Sequence, residues 1–118
     1  MTNTSIQTGD FTVQVIRKDS QVIVEIAGRV TIDTSPHLRS FLLRLIGREV
    51  SAIIVIDVSK VSYLDTSGIA TLLESLKAAR ERSVKLRLIG TSGRVRMLAE
   101  LLELPKLFDA LGSEVVFT

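Results

Sequence analysis

Asp57-Val-Ser-Lys-Val-Ser-Tyr-Leu-Asp-Thr-Ser-Gly68 joins two segments of different period. Before it, Ala52-Ile-Ile-Val-Ile56 is short, apolar and β-branched, the pattern of a strand buried on both faces. After it, Ile69, Leu72, Leu73, Leu76 and Ala79 recur at helical spacing, with Thr71, Glu74, Lys77, Arg80 and Glu81 between them. The spacing predicts a core strand over Ala52–Val58, a short polar surface loop, and a helix from about Ser67 to Arg82. The helix opens at Asp65-Thr66-Ser67-Gly68. Hydroxyls there lie over unpaired N–H groups and the positive end of the helix dipole, a setting suited to a phosphate.

Upstream, Phe11, Val13 and Val15 alternate with Thr12, Gln14 and Ile16, the period of a strand. A polar turn at Arg17-Lys-Asp-Ser20 leads to a second alternating run, Val22 to Ala27, stopped by Gly28. The short link predicts an antiparallel hairpin. Thr31–Pro36 is a loop; Ser35 as N-cap and Pro36 at the first helical position start a helix. Leu38, Phe41, Leu42 and Leu45 form its apolar stripe and Gly47 its stop, with His37 on the exposed side.

Downstream, Lys85–Ile89 is a strand ended by Gly90, and Thr91-Ser-Gly93 opens a helix with Val95, Leu98, Ala99 and Leu102 on one face. Pro105 ends that helix, Leu107, Phe108 and Leu111 pack as a turn, and Val115–Phe117 forms an edge strand. The order β-β-α-β-α-β-α-β implies an α/β fold: right-handed crossovers and a mostly parallel sheet behind an antiparallel hairpin. Functional loops in such sheets gather at the carboxyl ends of the parallel strands. Arg29–Ser35, Asp57–Gly68 and Gly90–Gly93 are therefore the expected working face.

The 118 residues suit one domain, 1–118, with a polar leader at 1–10, and 46% hydrophobic content is enough for a core. With no cysteine there is no disulfide or thiolate site, and a single histidine argues against zinc clusters and His-based triads. No signal-peptide pattern and no apolar run near ~20 residues is present, so the expectation is a cytoplasmic domain. Net charge is +2, but Lys77, Arg80, Arg82, Lys85, Arg87, Arg94 and Arg96 face one acid, Glu81, between residues 77 and 96. That run reads as a solvated rim, or as a patch for an acidic partner. One Tyr, four Phe and no Trp, none interleaved with the basic residues, argue against nucleic acid.

Catalysis is not expected. Thr66 or Ser67 as nucleophile has no base in reach, and Ser67 lacks the flanking glycines of a nucleophile elbow. Asp57 and Asp65 lack the further acids a Mg²⁺ or phospho-aspartate site needs, and glycine-rich phosphate loops are absent, so no cofactor or metal is expected. The two hydroxyls have an ordinary use as a helix cap. Because they stand side by side, one can cap while the other stays free; Asp65 is an alternative cap, and Gly68 permits close backbone approach.

Leu64-Asp-Thr-Ser-Gly-Ile69, following Ile-Val-Ile-Asp57 and a six-residue loop, resembles the STAS domain of bacterial anti-sigma factor antagonists. Gly28-Arg-Val-Thr-Ile-Asp33, with Pro36 and Leu38, is similar to the family's loop into its first helix, and Leu88-Ile-Gly90 to its later strand. The likeness spans roughly Phe11 to Phe117. It implies a four- to five-stranded, mostly parallel sheet with an antiparallel N-terminal hairpin and helices packed around it. It also implies that Thr66, with Ser67 the lesser candidate, is phosphorylated by a partner kinase that is the anti-sigma factor. Ser67 matches the family's second hydroxyl and the helix cap, and Asp33 a loop aspartate beside the phosphorylation site. Asp33, Asp65, Thr66, Ser67, Gly68 and Ile69 are the implied partner-binding residues.

Further implied partners are a phosphatase and, at most, a second copy in a weak homodimer. Arg29 departs from the pattern, standing where the family commonly has an acid. Threonine at the phosphorylated position also occurs in stressosome-type members and in STAS subunits of lipid transport systems. A scaffold role without an obligatory phospho-switch therefore stands as the alternative, with small-molecule binding third.

Overall fold

The computed structural model describes residues 3–49 and 53–117. In chain order the elements are β1 (Asn3–Thr8), β2 (Phe11–Lys18), β3 (Gln21–Val30), α1 (Ser35–Arg48), β4 (Ile53–Leu64), α2 (Thr66–Glu81), β5 (Lys85–Ile89), α3 (Gly93–Leu101), α4 (Leu104–Ala110) and β6 (Glu114–Val115). The strands form one six-stranded sheet whose spatial order follows the chain. The first three are antiparallel neighbours, and β3 to β6 pair in parallel. This is the mixed α/β architecture expected from the periodicities, with six strands in place of four or five.

The additional strand is β1. Residues 3–8 fall in the stretch expected as a loose polar leader, yet they pair with β2 from Asn3↔Ile16 to Thr8↔Phe11. An edge strand is held by main-chain bonds along one side, so a Thr- and Ser-containing segment joins the sheet without an apolar signature. Met1 and Thr2 lie outside the described residues. The β2–β3 turn is tighter than expected: Arg17 and Lys18 pair with Val22 and Gln21, leaving Asp19 and Ser20 to turn, with Asp19 at φ +56°.

Gly28 does not stop its strand. It lies within β3 at φ +92°, between register shifts, where a Cβ would come within 2.0 Å of the Asp10 carbonyl oxygen. Only glycine fits there, and the strand continues past it to Val30. That continuation lengthens β4. Ala27, Gly28, Arg29 and Val30 offer their main chain to Lys60, Val61, Tyr63 and Leu64. The expected surface loop over Asp57–Gly68 thus shrinks to Asp65. Ala52, the expected first residue of this strand, lies outside the described residues.

The pairing register sets the core. Val13, Val15, Val22, Val24, Ile26, Ile54, Ile56, Leu86 and Leu88 lie on one face of the sheet and are buried. Leu38, Leu42, Leu45 and Ile46 of α1 and Ile69, Leu72, Leu76 and Ala79 of α2 complete the same cluster. On the reverse face Ile16, Ile23 and Arg87 stay half-buried while Val55 is buried, so the two-faced burial expected of this strand is strongest at its centre.

Several helix ends differ from expectation. Thr34, not Ser35, is the N-cap of α1, and Ser35 is buried as the first helical residue. The Thr34 hydroxyl accepts from the Thr31 N–H (2.9 Å) and donates to the Arg29 carbonyl (2.8 Å), so it folds the preceding turn instead of capping. Gly47 is helical and α1 runs to Arg48. α3 stops at Leu101, while Pro105 opens α4, where its missing N–H costs nothing. The final strand is Glu114–Val115, not Val115–Phe117.

Candidate functional site

The Asp65 carboxylate organises the mouth of α2. With β-region backbone it is the N-cap, and Oδ1 accepts from the N–H groups of Ser67 (2.9 Å) and Gly68 (3.2 Å). The same oxygen accepts from the Ser67 hydroxyl. This corrects the assignment of Ser67 as cap: its hydroxyl serves Asp65 and none of the helix N–H groups. Oδ2 accepts from the Ile32 N–H across the molecule, at 3.1 Å. The Ser67 hydroxyl is the main influence holding the Asp65 carboxyl below its usual range; the N–H groups of Gly68, Ser67 and Ile32 act the same way, against partial burial.

Thr66 is exposed, and its hydroxyl has no hydrogen-bond partner among the described residues. Gly68 is buried where α2 meets the sheet: a Cβ there would sit 2.4 Å from Leu64 Cδ1 and 2.9 Å from Val30 Cγ1. The helix mouth therefore comes as close to the strand ends as a bare backbone allows. Ile69 is buried beneath it. Asp33 is exposed on the turn over residues 31–34, its N–H donating to Thr31 Oγ1 at 3.2 Å. The Ile32–Asp65 bond docks this turn against the mouth, while the Asp33 carboxylate makes no bond to Thr66 or Ser67 among the described residues.

Beside Thr66 is a hollow of about 440 Å³ lined by Tyr63, Leu64, Asp65, Thr66, Ile69, Arg94, Leu98 and Leu102. Over the Tyr63 ring lie the guanidiniums of Arg29, 4.4 Å from the centroid, and Arg94, 5.3 Å away. Arg29 arrives there because it is the cross-strand neighbour of Tyr63. The three segments expected at the working face thus meet: residues 29–34, the end of β4 with the start of α2, and the start of α3. Tyr63, Arg94, Leu98 and Leu102 were not among the site residues expected from sequence. Leu98 and Leu102 read as core, but only Val95 and Ala99 of α3 are buried and Leu102 is 44% exposed. An arginine one residue past a helix-opening Ser-Gly was the available signal for Arg94.

The basic stretch from Lys77 to Arg96 is not one patch. Arg80 donates to the Ala110 carbonyl, and Lys85 and Arg87 share Glu114, each at 3.4 Å. Arg96 pairs with Glu100 (3.1 Å) and lies over Phe117. Arg94 alone of that stretch lines the hollow. Among the described residues no group of three or more His, Cys, Asp or Glu side chains is placed to hold a metal ion, and no helix is long and apolar enough to cross a membrane.

Comparison with known proteins agrees with this geometry. The STAS domain family profile matches residues 12–116. An anti-sigma-B factor antagonist of Listeria monocytogenes is 26% identical over 106 residues, which cover 89% of this chain and 92% of that one. A crystal structure of an anti-sigma factor antagonist from Mycobacterium paratuberculosis superimposes with a TM-score of 0.73 at 22% identity, covering 96% of this chain and 92% of that one. The Bacillus cell fate determinant SpoIIAA in its phosphorylated form superimposes with a TM-score of 0.63 at 15% identity, covering 89% and 91%. With the family profile spanning nearly every residue from β2 to β6, and with the fold shared, the chain belongs to the STAS domain family.

Proposed function

We propose that this protein is an anti-sigma factor antagonist whose binding to an anti-sigma factor kinase is switched by phosphorylation of Thr66. One observation carries the choice of residue: Asp65 caps α2 and engages Ser67, which leaves the exposed Thr66 hydroxyl free for a kinase. The Listeria relative is named an anti-sigma-B factor antagonist, and SpoIIAA, of the same fold, is known in phosphorylated form.

Unmodified, the face comprising Thr66, the 31–34 turn and the apolar hollow docks onto the anti-sigma kinase and frees the sigma factor for transcription. Asp33, Asp65, Thr66, Ser67, Gly68 and Ile69 form or support that face. Phosphorylation adds ~1.5–2 negative charges at its centre. The helix mouth stabilises that charge locally, so the fold stays and the interface bears the effect. A penalty of ~3 kcal/mol weakens binding more than a hundredfold, enough for a switch. A phosphothreonine ester does not reverse unaided on a regulatory timescale, so a phosphatase completes the cycle, in the cytoplasm where sigma factors act. The role is regulatory and involves no catalysis by this chain.

The test is intact-mass analysis with site mapping after incubation with ATP and the candidate kinase. Thr66→Ala is expected to keep partner binding and take up no phosphate, and Thr66→Asp to bind more weakly. Undiminished phosphate incorporation into Thr66→Ala would falsify the assignment. A second reading, a scaffold subunit without an obligatory switch, is favoured by the exposed Met97, Leu101 and Leu107. Co-purification with a large homomeric assembly or a transporter ATPase, and no kinase, selects it.

A further inference from the structure

Phosphorylation at Thr66 would place a dianion at the hollow that Arg94 lines, whose Tyr63 wall also carries Arg29. Arg29 and Arg94 lie over the same Tyr63 ring, 4.4 and 5.3 Å from its centroid. Among the described residues neither has a carboxylate within ion-pairing distance, whereas Arg17, Arg39, Arg87 and Arg96 all do. Both positive charges sit within about one Debye length, ~10 Å, of each other, so they repel and favour an anion between or beside them. Arg94, Tyr63 and Thr66 line the same hollow, Tyr63 near the end of β4 and Thr66 at the start of α2.

Given the Thr66 switch described above, on which this rests, we propose that Arg94, assisted by Arg29, binds the Thr66 phosphate within the same molecule. Guanidinium is the group best matched to phosphate, because its planar fork donates two parallel N–H bonds to two phosphate oxygens. Tyr63 holds the arginines in place by cation–π attraction, so little side-chain freedom is lost when the phosphate arrives. Arg94 is the second residue of α3, so the bond ties the start of α3 to the mouth of α2 across the hollow. Two consequences follow. The modified face carries less net negative charge than a bare phosphate would give it. The hollow also loses its cation, so a partner acid that used Arg94 in the unmodified state finds the position taken. The switch then acts by occupying an anchor as well as by repulsion.

The test uses the full chain with phosphothreonine inserted at position 66 during translation, which needs no kinase. The ³¹P resonance is followed through the second phosphate ionisation. A free phosphothreonine titrates at about pH 6. The parent chain is expected to titrate lower, Arg94→Ala to move the midpoint up by about half a unit or more, and Arg94→Lys to restore part of the shift through charge alone. Arg29→Ala is expected to give a smaller upward move. Thermal unfolding gives a second readout: phosphorylation is expected to raise Tm in the parent and not in Arg94→Ala. An identical ³¹P midpoint with and without Arg94 overturns the proposal and leaves the switch untouched. The switch itself is judged by kinase incorporation at Thr66, so the two failures are distinguishable.

Discussion

Asp65 serves two purposes with one carboxylate. It terminates the unpaired N–H groups of α2 and, through Ile32, holds the 31–34 turn against the helix mouth. Asp65→Ala is expected to lower stability by about 1 kcal/mol, the usual cost of losing an N-cap, and more if the turn detaches. Urea unfolding measures it. The pH dependence has a definite sign. The Asp65 carboxyl titrates lower in the folded protein than in the unfolded chain, so its ionised form favours folding. That contribution is complete above the unfolded value of about 4 and is lost as pH falls through the lower folded value. Asp65→Asn should therefore lose less stability than the parent between neutral and acid pH; equal acid sensitivity of the two proteins would refute the linkage. Gly68 shows the complementary constraint, because any side chain there meets Leu64 and Val30 and pushes the whole mouth outward.

At the scale of elements, α3 carries the less obvious part of the face. Its Leu98 and the C-cap Leu102 lie four residues apart, the spacing of a helix stripe. The spacing alone assigns them to the core, but the helix is short and Val95 and Ala99 already fill its contact with the sheet. Leu102 is left to line the hollow. A half-exposed leucine lining the same hollow as the exposed Thr66 and an arginine suits an apolar anchor with a charged rim. Leu102→Ser is expected to weaken binding to the anti-sigma kinase at least tenfold, about 1.4 kcal/mol, by calorimetry. Its effect on thermal stability should stay near the range of surface substitutions, about ±0.5 kcal/mol. A large loss of Tm with unchanged affinity would return Leu102 to the core.

At the scale of the molecule, one sheet carries the site at a single edge. Neighbouring strands follow the chain order, so each helix crosses to the adjacent strand; β3 and β4 end side by side at Val30 and Leu64, while β5 ends earlier, opposite Asp57. The carboxyl edge collects the 29–34 segment, the α2 mouth and the α3 start. Lys85 opens β5 at the amino end of the parallel strands, whereas Arg94 follows the carboxyl end of β5, so the two form no common patch. A rigid core under a local switch makes a spectroscopic prediction. Phosphorylation at Thr66 should move amide resonances near residues 29–34, 63–69 and 90–98 and leave those of β2, α1 and the second half of α2 in place. Shifts spread through the core would mean that the switch works by refolding.

Periods are local, and what is local was legible. Alternation at Phe11–Val15 and Val22–Ile26, the apolar run at Ile53–Ile56 and the stripe from Ile69 to Ala79 each need only a short window. The sequence by itself therefore determined the α/β class, the hairpin, the parallel crossovers and a helix opening at Asp65–Gly68. Tertiary structure decided what depends on residues far apart along the chain. The Ile32–Asp65 bond spans 33 positions, and the extension of β4 to Leu64 depends on β3 continuing beyond Gly28. The exposure of Leu102 and the stacking of Arg29 and Arg94 on Tyr63 are of the same kind. A hydrogen bond or a packed face is chosen by whichever partner the folded backbone brings near, and no window of neighbouring residues contains that information.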